Sequence, residues 1–448
     1  MIAECGVGDR RARKAPYAAR LSVVFAASFA LVATGCNVAV PRGSHGTEAL
    51  DAAMHPDGAD GGACARAVVV AESDYMSTNV ALLGLDGSVL STSVASSATG
   101  AVGLAAPLSN DVVVPTMPVG GSELVLVDRA QTASNIVWVD PKTAAKRALS
   151  VRTGFWSNPY DYAAISNDKA YVPRYGTNPM PGSMPFDAGG DVLIVDPSAP
   201  SIVGSIDMKA ALGDDRARAQ PNADSIVVAA DRAYVLLGAL PGNLSSAAQA
   251  PSRLVAIDTT RDVIADTLVL DGLFNCTGLA LSPDGQSVAV MCSGKQINSA
   301  APSDLDGSGV AVVDVTGSPR VAKQFDASDV GPGPIGFYAA FASKTSLVVE
   351  TFGYDDPASG ESQDDTVAQL DLTSGQKNVV LRSAGEPFTL NGIVCDTACG
   401  VCFVADAKRM GGVVHRFAVS AAGTLSGDEL IKVETDPGLP PQYLGLFR

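Results

Sequence analysis

Residues that support catalysis are scarce in this chain of 448 amino acids. Of its three histidines, His45 and His55 lie in a segment rich in Gly, Ala and Asp, which leaves His415 alone in the rest. The sequence therefore has too few histidines for a multi-histidine metal site, and a Ser-His-Asp triad would have to use His415. No glycine-rich phosphate loop or dinucleotide fingerprint occurs. The sequence argues against an enzyme without deciding the question.

One short segment carries oxygen ligands at alternate positions. Asp304, Asp306 and Ser308 flank a turn at Gly307, as in loops that bind calcium. The bidentate glutamate that normally follows such a loop is missing, and a solvated acidic loop is the alternative interpretation. Calcium is the one cofactor that the sequence suggests, with Asp304, Asp306 and Ser308 as its candidate ligands.

A sequence repeat indicates the secondary-structure elements that position these residues. A short apolar strand that ends in aspartate occurs five times in the sequence. The spacings between these aspartates are 56, 62, 56 and 57 residues. The copies are Ile136–Asp140, Val192–Asp196, Leu254–Asp258, Val310–Asp314 and Val367–Asp371. Short strands repeated at such a period are the signature of a β-propeller. The aspartates stand where a turn follows, so we interpret them as turn residues whose carboxylates accept backbone N–H groups.

Each period divides into four strands, which we name a to d from the centre of the ring outward. The first period lacks a strand a, and the C-terminal strand Tyr443–Phe447 has no blade of its own. We expect this strand to complete blade 1, because closure removes exposed sheet edges. The predicted fold is all-β: a single seven-bladed β-propeller over residues 66–448, with six or eight blades as alternatives.

The turn Ser282-Pro283-Asp284-Gly285 joins two strands of this pattern. In that context it resembles the YVTN-type and quinoprotein-dehydrogenase-like (WD40-like) propeller superfamily. The resemblance implies the fold over about residues 66–448, and it does not imply an activity. Relatives of similar architecture include lactonases, other hydrolases and quinoprotein dehydrogenases.

Six cysteines remain besides Cys5 and Cys36, and an even number in an exported protein favours disulfides. The strand register sets Cys395 directly opposite Cys402 across a hairpin. Cys276 and Cys292 fall one step out of phase, so their pairing requires a bulge. Cys64 and Cys399 remain, and we expect them to join blade 1 to blade 7 at the closure of the ring.

Strand a lines the central channel of a propeller, so residues at its start are candidates for a ligand site. Asn222 and Asn275 occupy equivalent positions in two blades. Tyr160, Asp161, Tyr338 and Tyr443 lie near the same level. These side chains either bind a polar ligand or cap the turns that lead into strand a. The longest insertions, between strands b and c, emerge on the same face.

The N-terminus predicts the compartment. Basic residues precede an apolar run from Leu21 to Thr34, which is too short to span a bilayer. The sequence Ala33-Thr34-Gly35-Cys36 then resembles a bacterial lipoprotein signal, which implies lipidation of Cys36. We therefore expect a signal peptide over residues 1–35 and a flexible tether over 36–65. A plain secretory signal that leaves Cys36 unmodified is the alternative.

These features lead to one functional hypothesis. The net charge of −16 argues against nucleic acid as a partner. We expect a lipid-anchored protein of the bacterial cell envelope, at the outer membrane or the periplasmic face, that serves as a binding or scaffold module for a protein or a glycan. The alternative is a propeller enzyme of lactonase, hydrolase or quinoprotein-dehydrogenase type.

Overall fold

Strands account for nearly all of the regular structure in the computed structural model, which describes residues 64–98, 108–131, 133–242, 250–295, 305–355, 360, 362–409, 411–433 and 438–448. The strands form seven four-stranded antiparallel sheets and one two-stranded hairpin within these residues. The seven-bladed propeller predicted from the repeat is confirmed. The signal peptide, Cys36 and most of the tether lie outside the described residues.

The first three blades contain strands β1 to β11 and the C-terminal strand β30. Blade 1 consists of β30 (Pro441–Phe447), β1 (Ala67–Ser73), β2 (Thr78–Leu83) and β3 (Val89–Ser96). Blade 2 consists of β4 (Val112–Val113), β5 (Leu124–Asp128), β6 (Asn135–Val139) and β7 (Lys146–Ser150). Blade 3 consists of β8 (Ala163–Ser166), β9 (Lys169–Pro173), β10 (Asp191–Asp196) and β11 (Ser201–Asp207).

The other four blades follow in chain order. Blade 4 has β12 (Ala223–Ala229), β13 (Arg232–Leu237), β14 (Arg253–Asp258) and β15 (Val263–Val269), and blade 5 has β16 (Cys276–Leu281), β17 (Ser287–Ser293), β18 (Ser308–Asp314) and β19 (Arg320–Asp326). Blade 6 has β20 (Ile335–Ser343), β21 (Ser346–Thr351), β24 (Thr366–Asp371) and β25 (Lys377–Arg382), with the hairpin β22 (Tyr354–Asp355) and β23 (Ser362–Gln363) inserted. Blade 7 has β26 (Leu390–Asp396), β27 (Val401–Asp406), β28 (Val413–Val419) and β29 (Leu425–Ile431).

Two short helices join the outer strand of one blade to the inner strand of the next. A 3-10 helix spans Met208–Ala217, and the helix α1 spans Ala327–Val330. They lie on the face of the ring at which every strand a begins, which we call the upper face. The connections between strands b and c reach this face too. The turns from a to b and from c to d lie on the opposite, lower face.

The core is divided among the interfaces between blades. Successive side chains of each strand point alternately to the two neighbouring blades. Seven apolar clusters result, one between each pair of adjacent blades. Val69 of β1 thus packs against blade 2, while Val68 and Val70 pack against blade 7. The hydrophobic core is therefore distributed around the ring, between adjacent blades.

The ring closes as predicted. Strand β30 pairs antiparallel with β1, with Val69 opposite Gly445, and so supplies strand a of blade 1. A disulfide joins Cys64, which precedes β1, to Cys399 in the turn between β26 and β27. Ala65 N also donates to Asp396 Oδ2 at 2.6 Å. Backbone pairing, a covalent bond and a charged hydrogen bond therefore hold blades 1 and 7 together.

The other two disulfides are confirmed as well. Cys395 lies directly opposite Cys402 across the hairpin of β26 and β27. Cys276 pairs with Cys292, and the register shifts between Cys276 and Gly278, which is the bulge that their spacing required.

The repeated aspartates cap turns on the lower face. The carboxylate Oδ1 of each accepts the backbone N–H two residues later: 2.8 Å at Asp140, 2.8 Å at Asp196, 2.9 Å at Asp258, 2.9 Å at Asp314 and 2.7 Å at Asp371. Hydrogen bonds of this kind lower the pKa of all five carboxyls. These aspartates thus stabilise turns, as the sequence indicated.

Two inner strands are short. Strand a of blade 2 ends at Val113. Pro115 has no N–H to donate, and Thr116 N donates instead to Asp161 Oδ1 at 2.9 Å. Strand a of blade 3 begins at Ala163, after Tyr160 and Asp161.

Candidate functional site

Three of the predicted site residues meet at the centre of the upper face. Tyr443 of blade 1 lies beside Tyr338 of blade 6, with ring centroids 6.2 Å apart. Tyr160 of blade 3 stacks on Tyr175 at 4.4 Å with nearly parallel rings. The hydroxyl of Tyr75 interacts with that of Tyr443. Together Tyr75, Tyr160, Tyr175, Tyr338 and Tyr443 form what we call the tyrosine cluster.

An arginine that the sequence analysis missed joins the two halves of this cluster. The guanidinium carbon of Arg129 lies 4.9 Å from the Tyr160 ring centroid and 5.4 Å from that of Tyr443. Its Nη2 donates to the Tyr443 hydroxyl at 3.1 Å and to Asp111 Oδ1 at 2.6 Å. Contacts therefore run without interruption across the mouth of the channel, from blade 3 through blade 2 and blade 1 to blade 6.

Burial controls the protonation of this cluster. It raises the pKa of Tyr160, Tyr338 and Tyr443, so their hydroxyls stay neutral and both donate and accept hydrogen bonds. Burial lowers the pKa of Arg129, but Asp111 and the surrounding tyrosines raise it further, so the guanidinium stays charged. The mouth of the channel thus presents one fixed cation among neutral phenols.

Asp224 of blade 4 is a carboxyl of this region whose pKa is raised far above its ordinary value. Burial raises its pKa to about 7, against the opposing effects of a hydrogen bond from Ser225 and the charge of Arg129. Ser225 Oγ lies 2.8 Å from Asp224 Oδ1. Near neutral pH this side chain exists in both protonation states, so it is able to donate as well as accept a proton.

Asp161, a predicted ligand residue, is engaged by three blades. Its Oδ1 accepts from Thr116 N at 2.9 Å and from Tyr162 N at 2.7 Å, and its Oδ2 accepts from Ile226 N at 2.9 Å. Burial raises its pKa to about 6, although these backbone donors oppose the shift. Asp161 therefore ties blade 3 to blades 2 and 4 and supports the site from below.

Asn222 and Asn275 take equivalent positions, and both have a left-handed backbone, with φ of 49° and 50°. Asn222 Oδ1 accepts from Leu240 N at 3.1 Å, and Asn275 Nδ2 donates to Ser293 Oγ at 2.7 Å. These contacts fit the interpretation that the two asparagines cap the turns leading into strand a. A role in ligand binding stays a prediction.

The predicted calcium loop is described in part, because Asp304 lies outside the described residues. Asp306 Oδ2 forms an ion pair with Lys295 Nζ at 2.7 Å, and Ser308 Oγ donates to Cys292 O at 3.0 Å. No group of three or more His, Cys, Asp or Glu side chains in the described residues is arranged to hold a metal ion. Calcium at this loop stays a prediction.

The exposed aromatic and methionine side chains share one location. Among the described residues, every large exposed side chain of these types lies on the upper face, and they are Tyr75, Met76, Phe155, Met180, Met184, Phe186, Phe337 and Phe388. The other large apolar residues that are exposed in the described structure are valines and one leucine on the outer strands d: Val89, Val203, Val263, Val269, Val321 and Leu430. The upper face is therefore chemically distinct from the rest of the surface.

The aromatic and methionine side chains form two patches beside the tyrosine cluster. The blade 3 patch consists of Phe155, Met180, Met184 and Phe186, of which Met180 is 76% exposed. The blade 6 patch consists of Phe337, Phe352 and Phe388, whose rings contact one another with centroids 4.9 Å and 5.5 Å apart.

Buried charges hold the blade 3 patch in shape. Arg174 is fully buried at the end of strand b, and its Nη2 donates to Phe186 O at 2.7 Å while its Nη1 donates to Thr153 O at 3.0 Å. Asp187 accepts the N–H groups of Gly182, Ser183 and Met184 at 2.8 to 3.0 Å, and these bonds lower its pKa to about 2. The insertion between β9 and β10 is thus a preorganised loop that exposes apolar side chains.

Sequence reasoning found Tyr160, Tyr338 and Tyr443 but not Arg129, Asp111, Asp224 or Tyr175. One signal was available: Arg129 and Arg174 each directly follow a strand b, on the face that carries the insertions. Their partners come from other strands, and only the closed ring shows which strands meet. His415, expected in a strand, is buried in β28, and its Nδ1 lies 2.8 Å from Asp428 Oδ1.

Among the described residues, no helix is long and apolar enough to cross a bilayer. No protein-family profile and no curated protein matches the sequence. Solved structures do resemble it. A protein from Lactobacillus plantarum has a TM-score of 0.53 and 13% identity over 85% of this chain and 99% of its own. The periplasmic gluconolactonase of Pseudomonas aeruginosa has a TM-score of 0.49 and 12% identity over 85% and 99%. At 13% identity, the similarity to the Lactobacillus plantarum protein shows the fold alone.

Proposed function

We propose that this protein is a lipid-anchored binding module of the bacterial cell envelope, which holds a protein partner on the upper face of its propeller. The signal-like N-terminus and Cys36 support the anchor, at the outer membrane or the periplasmic face. Cys64, the first described residue, is bonded to Cys399 in a turn on the lower face. The anchor that we propose would therefore attach the propeller from the lower face and leave the upper face for the partner.

The observation that carries this proposal is the segregation of exposed aromatic and methionine residues to the upper face. Tyr, Phe, Met and Arg are the residues enriched at the cores of protein interfaces. Tyrosine supplies a large, rigid contact area at low entropic cost. A preorganised loop such as the blade 3 patch lowers the entropy lost when a partner binds. A glycan is the alternative ligand.

The anchor is tested by a Cys36→Ser variant in the native bacterium. Wild-type protein is expected in the membrane fraction and to incorporate radiolabelled palmitate. The variant is expected in the soluble fraction and without label. Soluble wild-type protein, or label that persists in the variant, would contradict the anchor.

The partner is tested by two double variants with matched chemistry. Met180→Ser with Met184→Ser alters the blade 3 patch, and Val203→Ser with Val263→Ser alters exposed apolar residues on outer strands. After chemical cross-linking of intact cells, wild type and the outer-strand variant should run in the same larger complex, and the patch variant should run as a monomer. If all three run alike, the proposal fails.

A second candidate function is an enzyme of lactonase or hydrolase type, which the pKa of Asp224 favours. A carboxyl that titrates near 7, close to the charge of Arg129, has the protonation behaviour of a general acid–base group. The purified domain would be assayed with sugar lactones and aryl esters, beside an Asp224→Asn variant. Turnover by the wild type that the variant loses would establish the enzyme. Equal background rates would exclude it for these substrates.

A further inference from the structure

Arg129, at the centre of the upper face, uses only part of its hydrogen-bonding capacity. Its Nε and Nη2 donate to the same oxygen, Asp111 Oδ1, at 3.0 and 2.6 Å, and Nη2 also donates to the Tyr443 hydroxyl. Among the described residues, none accepts a hydrogen bond from Nη1. The side chain keeps 17% of its surface open to solvent. Asp111 and Tyr443 therefore engage Nε and Nη2, while Nη1 has no acceptor among the described residues.

Arg147, a second arginine with the same kind of setting, provides a comparison. Arg147 also lies over an aromatic ring, with its guanidinium carbon 4.7 Å from the Trp138 centroid, and it pairs with Glu123. Its Nη1, however, donates to Pro197 O. All three nitrogens of Arg147 have protein acceptors, whereas Nη1 of Arg129 has none among the described residues.

Nη1 of Arg129 is also fixed in direction. The guanidinium lies against the rings of Tyr160 and Tyr443, and Asp111 holds its other side. A guanidinium held in this way loses little entropy when a ligand arrives. Planar donors at such a site favour an oxyanion, and carboxylate is the oxyanion that polypeptides carry.

The charged groups around the Arg129 guanidinium are compatible with the binding of one anion. Asp111 is paired with Arg129, and Asp161 is occupied by backbone N–H groups. The remaining carboxyl, Asp224, faces Arg129 and Asp161 together with Tyr160 and Tyr175. Burial disfavours its charged form, so it repels a second carboxylate less than an ordinary aspartate would.

We propose that Nη1 of Arg129 binds a carboxylate of the partner polypeptide, while the blade 3 and blade 6 patches receive the apolar side chains beside it. The inference rests on the proposed function in that both concern the upper face. The recognised element is an acidic residue or a chain terminus flanked by apolar residues.

Small probes test this site without knowledge of the partner. N-acetyl-phenylalanine carries a terminal carboxylate beside an aromatic ring, and N-acetyl-glutamic acid amide carries a side-chain carboxylate. The amide of N-acetyl-phenylalanine and glucuronate serve as comparison ligands. Binding to the purified propeller is measured by isothermal titration and by ligand-observed NMR.

At least one of the two amino-acid carboxylates is expected to bind about ten-fold or more tightly than the amide, because a hydrogen bond to a charged group is lost in the amide. Which of the two binds distinguishes a terminus from an acidic side chain. Equal binding of acid and amide, or no binding of any acid, would overturn the inference. A preference for glucuronate over both would overturn the polypeptide source.

Two variants assign the effect to Arg129. Arg129→Gln should abolish the preference for acid over amide, and Arg147→Gln should leave it unchanged. Arg129→Lys, which keeps the charge, should retain part of it and shows whether loss in the Gln variant reflects misfolding. An unchanged preference in Arg129→Gln would contradict the assignment. The cross-linking of the patch variants is independent of these probes, so failure here leaves the proposed function standing.

Discussion

Arg174 and Asp191 form a bidentate ion pair that is almost completely removed from solvent. Arg174 Nε lies 2.7 Å from Asp191 Oδ1, Nη2 lies 2.7 Å from Oδ2, and the two side chains are 0% and 5% exposed. The same guanidinium holds the backbone at Thr153 and Phe186, which carry the blade 3 patch. The shape of that patch therefore depends on one buried charge.

Removal of this arginine should destabilise the propeller. Arg174→Met leaves the Asp191 carboxylate buried without its partner, which costs about 3–5 kcal/mol. Urea denaturation measures the loss. Arg261→Met, which breaks the exposed pair with Asp258, should change stability little. Similar losses in both variants would contradict the role assigned to Arg174.

The ring-closing disulfide should contribute more stability than the short one in blade 7. Cys64 and Cys399 are separated by 335 residues, and Cys395 and Cys402 by 7. The entropy removed from the unfolded chain grows with the enclosed loop, which gives about 6 kcal/mol for the long loop and about 2 kcal/mol for the short one. Paired Cys→Ala variants at each bridge, compared by urea denaturation, measure the difference. A larger loss at Cys395–Cys402 would contradict this order.

Stability should fall as pH rises from about 4 to 7. Asp224 titrates near 7 in the folded protein because burial disfavours its charged form, whereas in the unfolded chain it titrates near its ordinary 3.8. Between these values the folded state binds more protons, so the free energy of unfolding decreases with pH. Asp161 and Asp128, raised to about 6, act in the same direction. The turn aspartates, whose pKa values are lowered, act in the opposite direction only below about pH 4.

The matched variant is Asp224→Asn. Unfolding free energies at pH 4.5, 6 and 8 should show a shallower decline in the variant than in the wild type, and higher stability at pH 8. Parallel curves for the two proteins would show that Asp224 does not titrate in this range.

Glu350 is a fully buried acid in β21 whose oxygens make no hydrogen bond of good geometry within the described structure. Burial and the Asp365 carboxylate raise its pKa well above the ordinary value, although the nearby backbone N–H groups of Phe337 and Tyr338 oppose the shift. Gly336 leaves room for it, because a Cβ there would lie 2.5 Å from Glu350 Cδ. Glu350→Met should therefore stabilise the domain by about 1 kcal/mol or more, since the carboxyl is no longer desolvated.

The equivalent residue of blade 1 supplies the control. Glu72 Oε2 accepts from Asn79 Nδ2 at 2.7 Å. Glu72→Met removes that acceptor and should destabilise by about 1–3 kcal/mol. Thermal denaturation of both variants at pH 7 separates the two cases. Destabilisation of similar size in both would show that Glu350 has a partner in solution.

The scaffold could be predicted because its signals are periodic. The aspartate spacing gave the blades, the unmatched strand near Tyr443 gave the closure, and the register within hairpins gave the partners of Cys276 and Cys395. Each of these signals lies within one repeat or at the ends of the chain, so the repeat period is enough to locate it.

The site could be predicted only in part. Tyr160, Tyr338 and Tyr443 were found because they lie near the start of inner strands, a position fixed by the repeat. Arg129 and Tyr175 follow strands b, and the ring brings their side chains to the centre. Their contacts join residues up to 314 positions apart in the chain. No local pattern encodes such a distance.

The central claim is that the upper face binds a protein, and site-specific photo-cross-linking in the native cell envelope tests it most directly. A photoreactive amino acid is placed at Met180 or Phe388 on the upper face, and at Val203 or Leu430 on outer strands as controls. All four positions are exposed and apolar. The account predicts one discrete protein adduct from both upper positions and none from the controls. Adducts of equal yield from all four positions, a glycan adduct, or no adduct from Met180 and Phe388 would contradict it.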